Sequence, residues 1–297
     1  MRRLVAPLLA LMLVGCHSSD RIVVGSKNFS EQVLLGEIVA QAIEQSGLGV
    51  DRRLNLGGTF VCDRALRAGE IDVYVEYTGT AYTAILKHPP GADRQEILRQ
   101  VRDQYAEAGL EWLEPLGFEN TFAMIVRGDD AERLGLRTIS DLTAHPEFRA
   151  AFGYEFMERA DGFPGLARKY GLAFRERPRV MDLGLLYRAL VDRQADIVAG
   201  NSTDGQITSL ALRELEDDRA YFPPYDAVPV ARRAVLDRYT ALKGVLDSLG
   251  GRLSADEMRR LNYRVYGVKA SAEQVAREFL ARIPRSEATP RRADAPR

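Results

Sequence analysis

The stretch RALRAGEIDVYVEYTGT, residues 64–80, decides the fold, because a second stretch of the chain repeats its pattern. RALVDRQADIVAGNSTD, residues 188–204, can be laid on it without gaps, with four identical residues in seventeen positions. Both stretches run from a helical pattern through a tight turn into an apolar strand, and then into a polar turn. The repeat predicts two α/β lobes in which Tyr77 and Asn201 stand at equivalent strand ends, and we expect these ends to face a common cleft.

The rest of the chain alternates predicted strands and helices, which favours parallel sheets with helices on their faces. The first lobe is predicted to comprise residues 21–123 and 226–283, and the second lobe residues 124–225. Two extended segments, at 121–126 and 221–230, are expected to cross between the lobes. Residues 284–297 lack apolar periodicity and are predicted to be a disordered tail.

Several local predictions can be checked directly. Ser30 is predicted to be the N-cap of the first long helix, and Gly69 is predicted to close the helix before the first repeat's strand. The segments FGYEF (152–156) and AFRER (173–177) have the pattern of strands. TGT (78–80) is predicted to be a turn that lifts Tyr77 and Thr80 into the cleft.

Composition and motifs favour a binding protein. A net charge of −1 over 297 residues gives no general attraction to nucleic acid. The sequence contains no GxSxG elbow, no phosphate-binding loop, no GxGxxG after a strand, and no HExxH or CxxC motif. We therefore predict no catalytic residue, no metal ligand and no cofactor.

The N-terminus has the pattern of an export signal. Arg2 and Arg3 precede a short apolar run, and the segment ends in LVGC at Cys16. This resembles a bacterial lipoprotein signal, with residues 1–15 cleaved, Cys16 lipidated and residues 16–20 as a linker; the alternatives are an ordinary signal peptide or a buried cysteine at this position. We expect a periplasmic or otherwise extracytoplasmic protein held on a membrane by lipid, and a buried, unpaired Cys62.

Three stretches resemble the osmoprotectant-binding proteins of ABC importers, in the glycine betaine/choline class. They are GSKNFSEQVLLGEI (25–38), RRLNLGGT…ALRAGEIDVYVEYTGT (52–80) and YEFMERADG…GLARKYGL (154–172). The resemblance implies a type II periplasmic-binding-protein fold, with two α/β lobes, a hinge and an interlobe cleft. It also implies a monomer that closes on a small quaternary-ammonium ligand and works with an ABC permease and ATPase.

The resemblance also implies roles for individual residues. A trimethylammonium group offers no N–H, so aromatic faces bind it through cation–π attraction of about 0.5–2 kcal/mol per ring. Tyr77 and Tyr225 match cage tyrosines, and Thr80 matches a hydroxyl donor. Lys27 and Arg159 match cations that reach a ligand carboxylate, which favours a zwitterion over choline.

Two positions depart from the family pattern. Phe122 replaces a tyrosine and keeps its ring, whereas Asn201 stands where another cage tyrosine is expected. The ligand could be glycine betaine, or a larger zwitterion such as carnitine or ergothioneine, and the protein could be a sensory receptor without transport. Tyr82 and Tyr221 are open candidates for a compensating ring.

Overall fold

Two five-stranded mixed sheets form the framework of the computed structural model, which describes residues 21–89 and 93–283. The predicted signal peptide, the linker with Cys16 and the tail at 284–297 lie outside the described residues. Within the described part, no helix is both long and apolar enough to cross a membrane.

The first sheet has the strand order β2-β1-β3-β10-β4. Strands β1, β2 and β3 run parallel, and β10 returns antiparallel between β3 and β4. The strands are β1 (Ile22–Lys27), β2 (Val50–Gly57), β3 (Val73–Tyr77), β4 (Leu110–Trp112) and β10 (Ala227–Arg232).

The second sheet repeats this arrangement in the order β7-β6-β8-β5-β9. Strands β6, β7 and β8 are parallel, and β5 returns antiparallel between β8 and β9. The strands are β5 (Phe122–Arg127), β6 (Ala150–Phe152), β7 (Arg179–Val180), β8 (Ile197–Asn201) and β9 (Leu212–Leu215).

Helices cover the faces of both sheets. Most helices of the first sheet come from the two ends of the chain, whereas those of the second sheet lie between β5 and β9. The helices are α1 (Ser30–Gln45), α2 (Thr59–Ala68), α3 (Thr78–Thr80), α4 (Arg94–Glu107), α5 (Gly128–Leu134), α6 (Tyr154–Glu158), α7 (Phe163–Tyr170), α8 (Leu183–Val191), α9 (Gln206–Ser209), α10 (Arg233–Arg238), α11 (Leu242–Asp247), α12 (Ala255–Tyr266) and α13 (Ala272–Arg282). A π-helix (Ala81–Ile85) continues α3, and a 3₁₀-helix spans Ile139–Ala144.

The central strands of each sheet are buried on both faces. Along β3, Val73, Val75 and Tyr77 pack into one apolar core while Tyr74 packs into another. Strand β8 likewise divides its side chains between two cores. Alternate residues of a strand point to opposite faces, so a run that is apolar throughout indicates a strand covered on both sides.

The internal repeat is a structural repeat, as predicted. Strands β3 and β8 occupy the third position in their sheets. The matched aspartates make matched contacts: Asp72 accepts from the Val23 backbone N–H at 2.9 Å, and Asp196 accepts from that of Arg149 at 3.1 Å. Each carboxylate also accepts from an arginine at the end of the sheet's antiparallel strand, Arg232 or Arg127.

The turn between helix and strand is also matched. Gly69 closes α2 in the left-handed region with φ of 75°, as predicted, and the equivalent Arg193 has φ of 55°. The left-handed region favours glycine, so the first repeat uses the less strained residue. Cys62 is fully buried and has no disulfide partner in the described residues, as expected.

Four local predictions were wrong. The residue before α1 is Phe29, and Ser30 is already helical. TGT is the helical turn α3, so Thr80 enters the site from a helix. FGYEF contains only the last residue of β6, and Tyr154–Glu158 is helix α6. AFRER precedes the short strand β7 at Arg179–Val180. Short apolar runs fit a helix or a strand equally well, and the tertiary contacts decide between them.

Candidate functional site

A cavity of about 580 Å³ lies between the two lobes, at the ends of β1, β3 and β8. The seven residues that the sequence singled out as ligand contacts all line it, so the fold brings together side chains that are far apart in the chain. They are Lys27, Tyr77, Thr80, Phe122, Arg159, Asn201 and Tyr225.

Lys27 is held by a buried ion pair at the end of β1. Its Nζ donates to Glu76 Oε1 at 2.5 Å and to Thr59 Oγ1 at 3.1 Å. The side chains of Lys27 and Glu76 are 4% and 0% exposed. Burial raises the pKa of Glu76, and the charge of Lys27 opposes that rise. The cation is therefore neutralised locally, and one of its three N–H donors is left for a further partner.

Tyr77 is fixed by its hydroxyl as well as by its ring. The hydroxyl donates to Glu31 Oε1 at 2.7 Å. Burial and the nearby Glu31 charge raise the pKa of Tyr77 well above its ordinary value, so the hydroxyl stays protonated. Lys27 Nζ lies 5.1 Å from the ring centroid and Phe29 stacks on it at 6.5 Å.

A second buried ion pair joins Arg159 to Asp161. Arg159 donates to both carboxylate oxygens, at 2.9 and 2.5 Å, and the side chains are 4% and 0% exposed. Burial alone would lower the pKa of Arg159, but the charge and hydrogen bonds of Asp161 raise it above its usual range. Tyr225 donates to Asp161 at 2.6 Å, and Arg159 also donates to Thr80 Oγ1 at 3.2 Å.

Phe122 lies at the centre of an aromatic group beside this pair. Its ring centroid is 4.8 Å from that of Phe156 and 6.0 Å from that of Tyr225. The Arg159 guanidinium lies 5.0 Å from the Phe122 centroid. A phenyl ring at this position therefore keeps the capacity to accept a positive charge that a tyrosine would have.

Asn201 forms the second lobe's part of the wall. Its backbone N–H donates to Asp204 Oδ2 at 3.0 Å, and its side-chain Nδ2 points to the same oxygen at 3.4 Å. Tyr187 donates to that oxygen at 2.6 Å. Burial, with a contribution from the charge of Glu31, raises the pKa of Asp204 to about 6.

Hydrogen bonds cross directly from one lobe to the other around the cavity; besides the bond from Asn262 Nδ2 to the Thr203 backbone oxygen at 2.9 Å, three contacts of charged side chains are important here. Glu155 of α6 accepts from the Thr59 backbone N–H at 2.6 Å and from its hydroxyl at 3.0 Å, at the first turn of α2. Thr203, just beyond β8, donates to Glu31 at 2.5 Å. The bond from Arg159 to Thr80 is the third. The lobes are thus joined by charged groups on both sides of the cavity.

The carboxylates of this network were missed by the sequence reasoning. They are Glu31, Glu76, Glu155 and Asp161. Glu76 carried a usable signal, because a carboxylate inside the apolar strand IDVYVEY must have a buried partner. Asp161 stands two residues from Arg159, which is also a readable pairing.

The two tyrosines left open do not complete the cage in the described structure. Tyr82 packs in a first-lobe core and stacks on His88 at 4.6 Å. Tyr221 donates to the backbone oxygen of Ala160 at 2.9 Å. Neither is among the described residues that line the cavity; the additional aromatic side chains there are Phe29, Phe60, Tyr154 and Phe156.

A larger and more open groove of about 1110 Å³ lies elsewhere between the crossing segments and the second lobe. Charged side chains such as Arg94, Glu132 and Arg213 line much of it, and of the seven predicted contacts only Phe122 reaches it. The cavity at the strand ends is the better candidate, since it combines buried ion pairs with aromatic faces.

Comparison with known proteins agrees with this geometry. Residues 20–282 match the family described as the substrate-binding domain of the ABC-type glycine betaine transport system. The chain is 34% identical over 272 residues to the carnitine transport binding protein OpuCC of Listeria monocytogenes serotype 1/2a (strain 10403S), covering 90% of this chain and 88% of that protein. It is 33% identical over 279 residues to the ergothioneine transport permease/ergothioneine binding protein EgtU of Helicobacter pylori (strain G27), covering 92% of this chain. The chain spans 50% of the length of EgtU.

A solved structure shares the fold. The crystal structure of a glycine betaine/carnitine/choline ABC transporter protein superposes with a TM-score of 0.73 at 32% identity, covering 88% of this chain and 97% of that one. The two-lobe α/β fold expected from the sequence is confirmed, and the family consists of substrate-binding proteins of transporters rather than enzymes. The chain belongs to the family of substrate-binding domains of ABC-type glycine betaine transport systems.

Proposed function

We propose that this protein is the receptor of an ABC importer and binds a quaternary-ammonium solute between its two lobes. Substrate-binding proteins of such importers work outside the cytoplasm and deliver their ligand to permease components. The match of residues 20–282 to the glycine betaine family supports this role. The relatives that transport carnitine and ergothioneine support a betaine-like ligand.

The observation that carries the proposal is the charge balance of the cavity. Each cation on its wall, Lys27 and Arg159, is already paired with a buried carboxylate of the protein. An anionic ligand would therefore meet no uncompensated positive charge there, whereas aromatic side chains line the cavity, two of them already next to Lys27 and Arg159. Such a cavity suits a ligand with a positive charge that lacks N–H donors.

The seven predicted ligand contacts have different roles. Tyr77, Phe122 and Tyr225 supply ring faces for the ammonium group. Lys27 retains one N–H donor. Arg159 Nη1 lies 3.6 Å from Glu155, which is longer than a hydrogen bond, so Nη1 can also donate. Each cation can therefore donate a hydrogen bond to a ligand carboxylate. Thr80 supports Arg159, and Asn201 supplies an amide in place of a fourth ring.

Closure is the mechanism that links binding to delivery. The two lobes share the contacts Glu155–Thr59, Arg159–Thr80 and Thr203–Glu31. A ligand that contacts rings from both lobes adds to these contacts only when the lobes are together. It therefore shifts the open–closed equilibrium toward the closed form, which a permease can distinguish.

We further propose that the chain is a monomer tethered by lipid on Cys16. The sequence before Cys16 has the charged and apolar segments of an export signal. Residues 16–20 would then separate the lipid from the first strand, which begins at Ile22. Radiolabelled palmitate incorporation that is lost in Cys16→Ser would support the tether, and incorporation that persists would refute it.

A thermal-shift panel on the purified protein tests the ligand class. The panel contains glycine betaine, choline, carnitine, proline betaine, ergothioneine and neutral amino acids. We expect a rise in melting temperature with at least one quaternary-ammonium compound, because a ligand that binds the folded state stabilises it. A rise with amino acids alone would contradict the proposal.

A further inference from the structure

We propose, on the basis of the receptor function above, that the ligand carries a second polar group with an N–H or O–H donor, and that this group enters a second chamber beside Asn201. The proposal concerns the part of the ligand that the aromatic rings do not hold. It predicts which quaternary-ammonium compounds this receptor prefers.

The second chamber adjoins the main cavity. It has a volume of about 440 Å³ and shares with the main cavity the lining residues Asn28, Phe29, Asp182, Leu183 and Asn201. The main cavity alone, at about 580 Å³, is within the ~300–1,000 Å³ range of sites for drug-sized ligands. The space available therefore exceeds what a ligand as small as glycine betaine needs.

Two buried amides present oxygen atoms without a partner. Asn120 lines the main cavity and Asn262 lines the second chamber, and the two are 6% and 4% exposed. Among the residues that the structure describes, neither Asn120 Oδ1 nor Asn262 Oδ1 receives a hydrogen bond. An unsatisfied buried acceptor costs about 1–3 kcal/mol. Both oxygens are almost fully enclosed, so a ligand donor would recover that free energy only after a small shift of the neighbouring side chains.

Glu31 fixes which end of each amide is free. Asn120 Nδ2 donates to Glu31 Oε1 at 2.8 Å, and Asn262 Nδ2 donates to Glu31 Oε2 at 2.7 Å. Tyr77 and Thr203 donate to the same carboxylate, which surrounds Glu31 with donors. Turning either amide over would place oxygen against oxygen, so Oδ1 is the atom left over in both.

The Asn201 amide, like those of Asn120 and Asn262, directs its Nδ2 towards a carboxylate. Its Nδ2 faces Asp204 Oδ2 at 3.4 Å, which leaves Oδ1 as the atom available to other partners. Asp182, on the shared wall, adds a carboxylate that accepts from the Gly184 backbone N–H at 2.8 Å. Asn201 Oδ1, Asn262 Oδ1 and the Asp182 carboxylate are acceptors, so a ligand carboxylate placed beside them would be repelled. A hydroxyl or a heterocyclic N–H would be bound, and a ligand carboxylate belongs on the side of Lys27 and Arg159.

Calorimetric titration of the full protein with matched ligands tests this inference. Carnitine and γ-butyrobetaine differ by one hydroxyl, choline and its O-methyl ether differ by one O–H donor, and ergothioneine adds a heterocyclic N–H. We expect the donor-bearing member of at least one pair to bind about 5–10-fold more tightly, or ergothioneine to exceed glycine betaine by that factor. Equal affinities in both pairs, with ergothioneine no tighter than glycine betaine, would overturn the inference.

Failure of the wider proposal gives a different result, since then none of these compounds binds. The variant Asn201→Leu, which keeps the branching and the number of side-chain heavy atoms and has no acceptor, adds a second measurement. We expect the affinity ratio within the discriminated pair to fall toward 1 in this variant. An unchanged ratio in a folded Asn201→Leu protein would remove Asn201 from the inference, and the wild-type titrations decide the rest if the variant does not fold.

Discussion

The ends of β3 and β8 occupy the same place in two equivalent sheets, yet they carry different chemistry. The end of β3 supplies an aromatic ring, Tyr77, next to the buried pair of Glu76 and Lys27. In β8 the position of Glu76 is taken by Gly200, where an added Cβ would lie 2.1 Å from the Tyr187 hydroxyl, and Asn201 takes the position of Tyr77. We call these the first wall (Lys27, Glu76, Tyr77) and the second wall (Tyr187, Gly200, Asn201, Asp204).

The comparison separates what the scaffold requires from what the ligand requires. The two strands keep the matched contacts of Asp72 and Asp196, because these hold each strand to its sheet. The residues at the strand ends differ between the two lobes. One wall holds a charge pair with a ring, and the other holds an amide on a partly buried carboxylate, so the two lobes present different chemistry to the cavity.

Breaking the ion pair of the first wall should have the largest effect. Glu76→Gln leaves Lys27 buried without its counter-ion, and we expect a loss of about 3–5 kcal/mol in the free energy of unfolding. Denaturant unfolding measures it. The double variant Lys27→Met with Glu76→Gln should recover most of the loss, since both charges are then absent.

A matched control is the exposed pair of Arg193 and Asp129, with side chains 59% and 62% exposed. Asp129→Asn should change stability by about 0–1 kcal/mol. A Glu76→Gln effect no larger than this would show that the first wall does not depend on its charge pair.

The second wall should make the free energy of unfolding depend on pH. Asp204 has its pKa raised to about 6 from an ordinary value of 3.8, so the folded protein holds the proton more tightly than the unfolded chain. The protonated Asp204 carboxyl therefore contributes fully to the free energy of unfolding at low pH, and this contribution is lost as pH rises from about 4 to about 6. Between pH 5 and pH 7 the wild type should lose about 1–2 kcal/mol relative to Asp204→Asn. Parallel stability curves for the two proteins would contradict this assignment.

Removing the ring of the first wall should weaken the ligand contact. Tyr77→Ala is expected to reduce affinity for the best quaternary-ammonium ligand by about 1–2 kcal/mol, measured by calorimetry. Tyr77→Phe keeps the ring and loses only the hydroxyl bond to Glu31, so it should lose less. Equal losses in the two variants would assign the effect to the hydroxyl instead of the ring.

Making the second wall resemble the first should have the smallest effect. Asn201→Tyr adds a ring, and we expect it to strengthen binding of glycine betaine, which has no donor group, by about 0.5–1 kcal/mol. The same titration should show that ligands with a second polar group gain less, because the amide oxygen is gone. No gain for glycine betaine would indicate that Asn201 contacts every ligand directly.

Much of the fold could be predicted from the sequence, because it depends on local patterns. The repeat at 64–80 and 188–204, the strand alternation and the closing Gly69 are all visible in neighbouring residues. The errors at 78–80 and 152–156 fall in short helical segments whose residues Thr80 and Glu155 line the cavity and contact the other lobe.

The site was predictable only in part, for a related reason. Lys27, Tyr77, Arg159 and Tyr225 could be placed by family resemblance, and they do line one cavity. Their partners could not be placed in the same way, because Lys27 and Glu76 are 49 positions apart and Glu31 and Thr203 are 172 apart. Pairing over such distances is a property of the folded chain, and it leaves Lys27 and Arg159 with free N–H donors but without an uncompensated charge.

The contact between Glu155 and the first turn of α2 has a consequence for transport efficiency. Its two hydrogen bonds join the lobes through protein atoms alone. At about 1 kcal/mol each, such bonds multiply the ratio of shut to open receptors roughly fivefold apiece, whatever the cargo. An importer that recognised only the closed conformation would also interact with receptors that carry no ligand. The fraction of unliganded receptors that are closed therefore sets a background level of interaction with the importer. The additional closure caused by ligand must exceed that background for uptake to depend on the ligand.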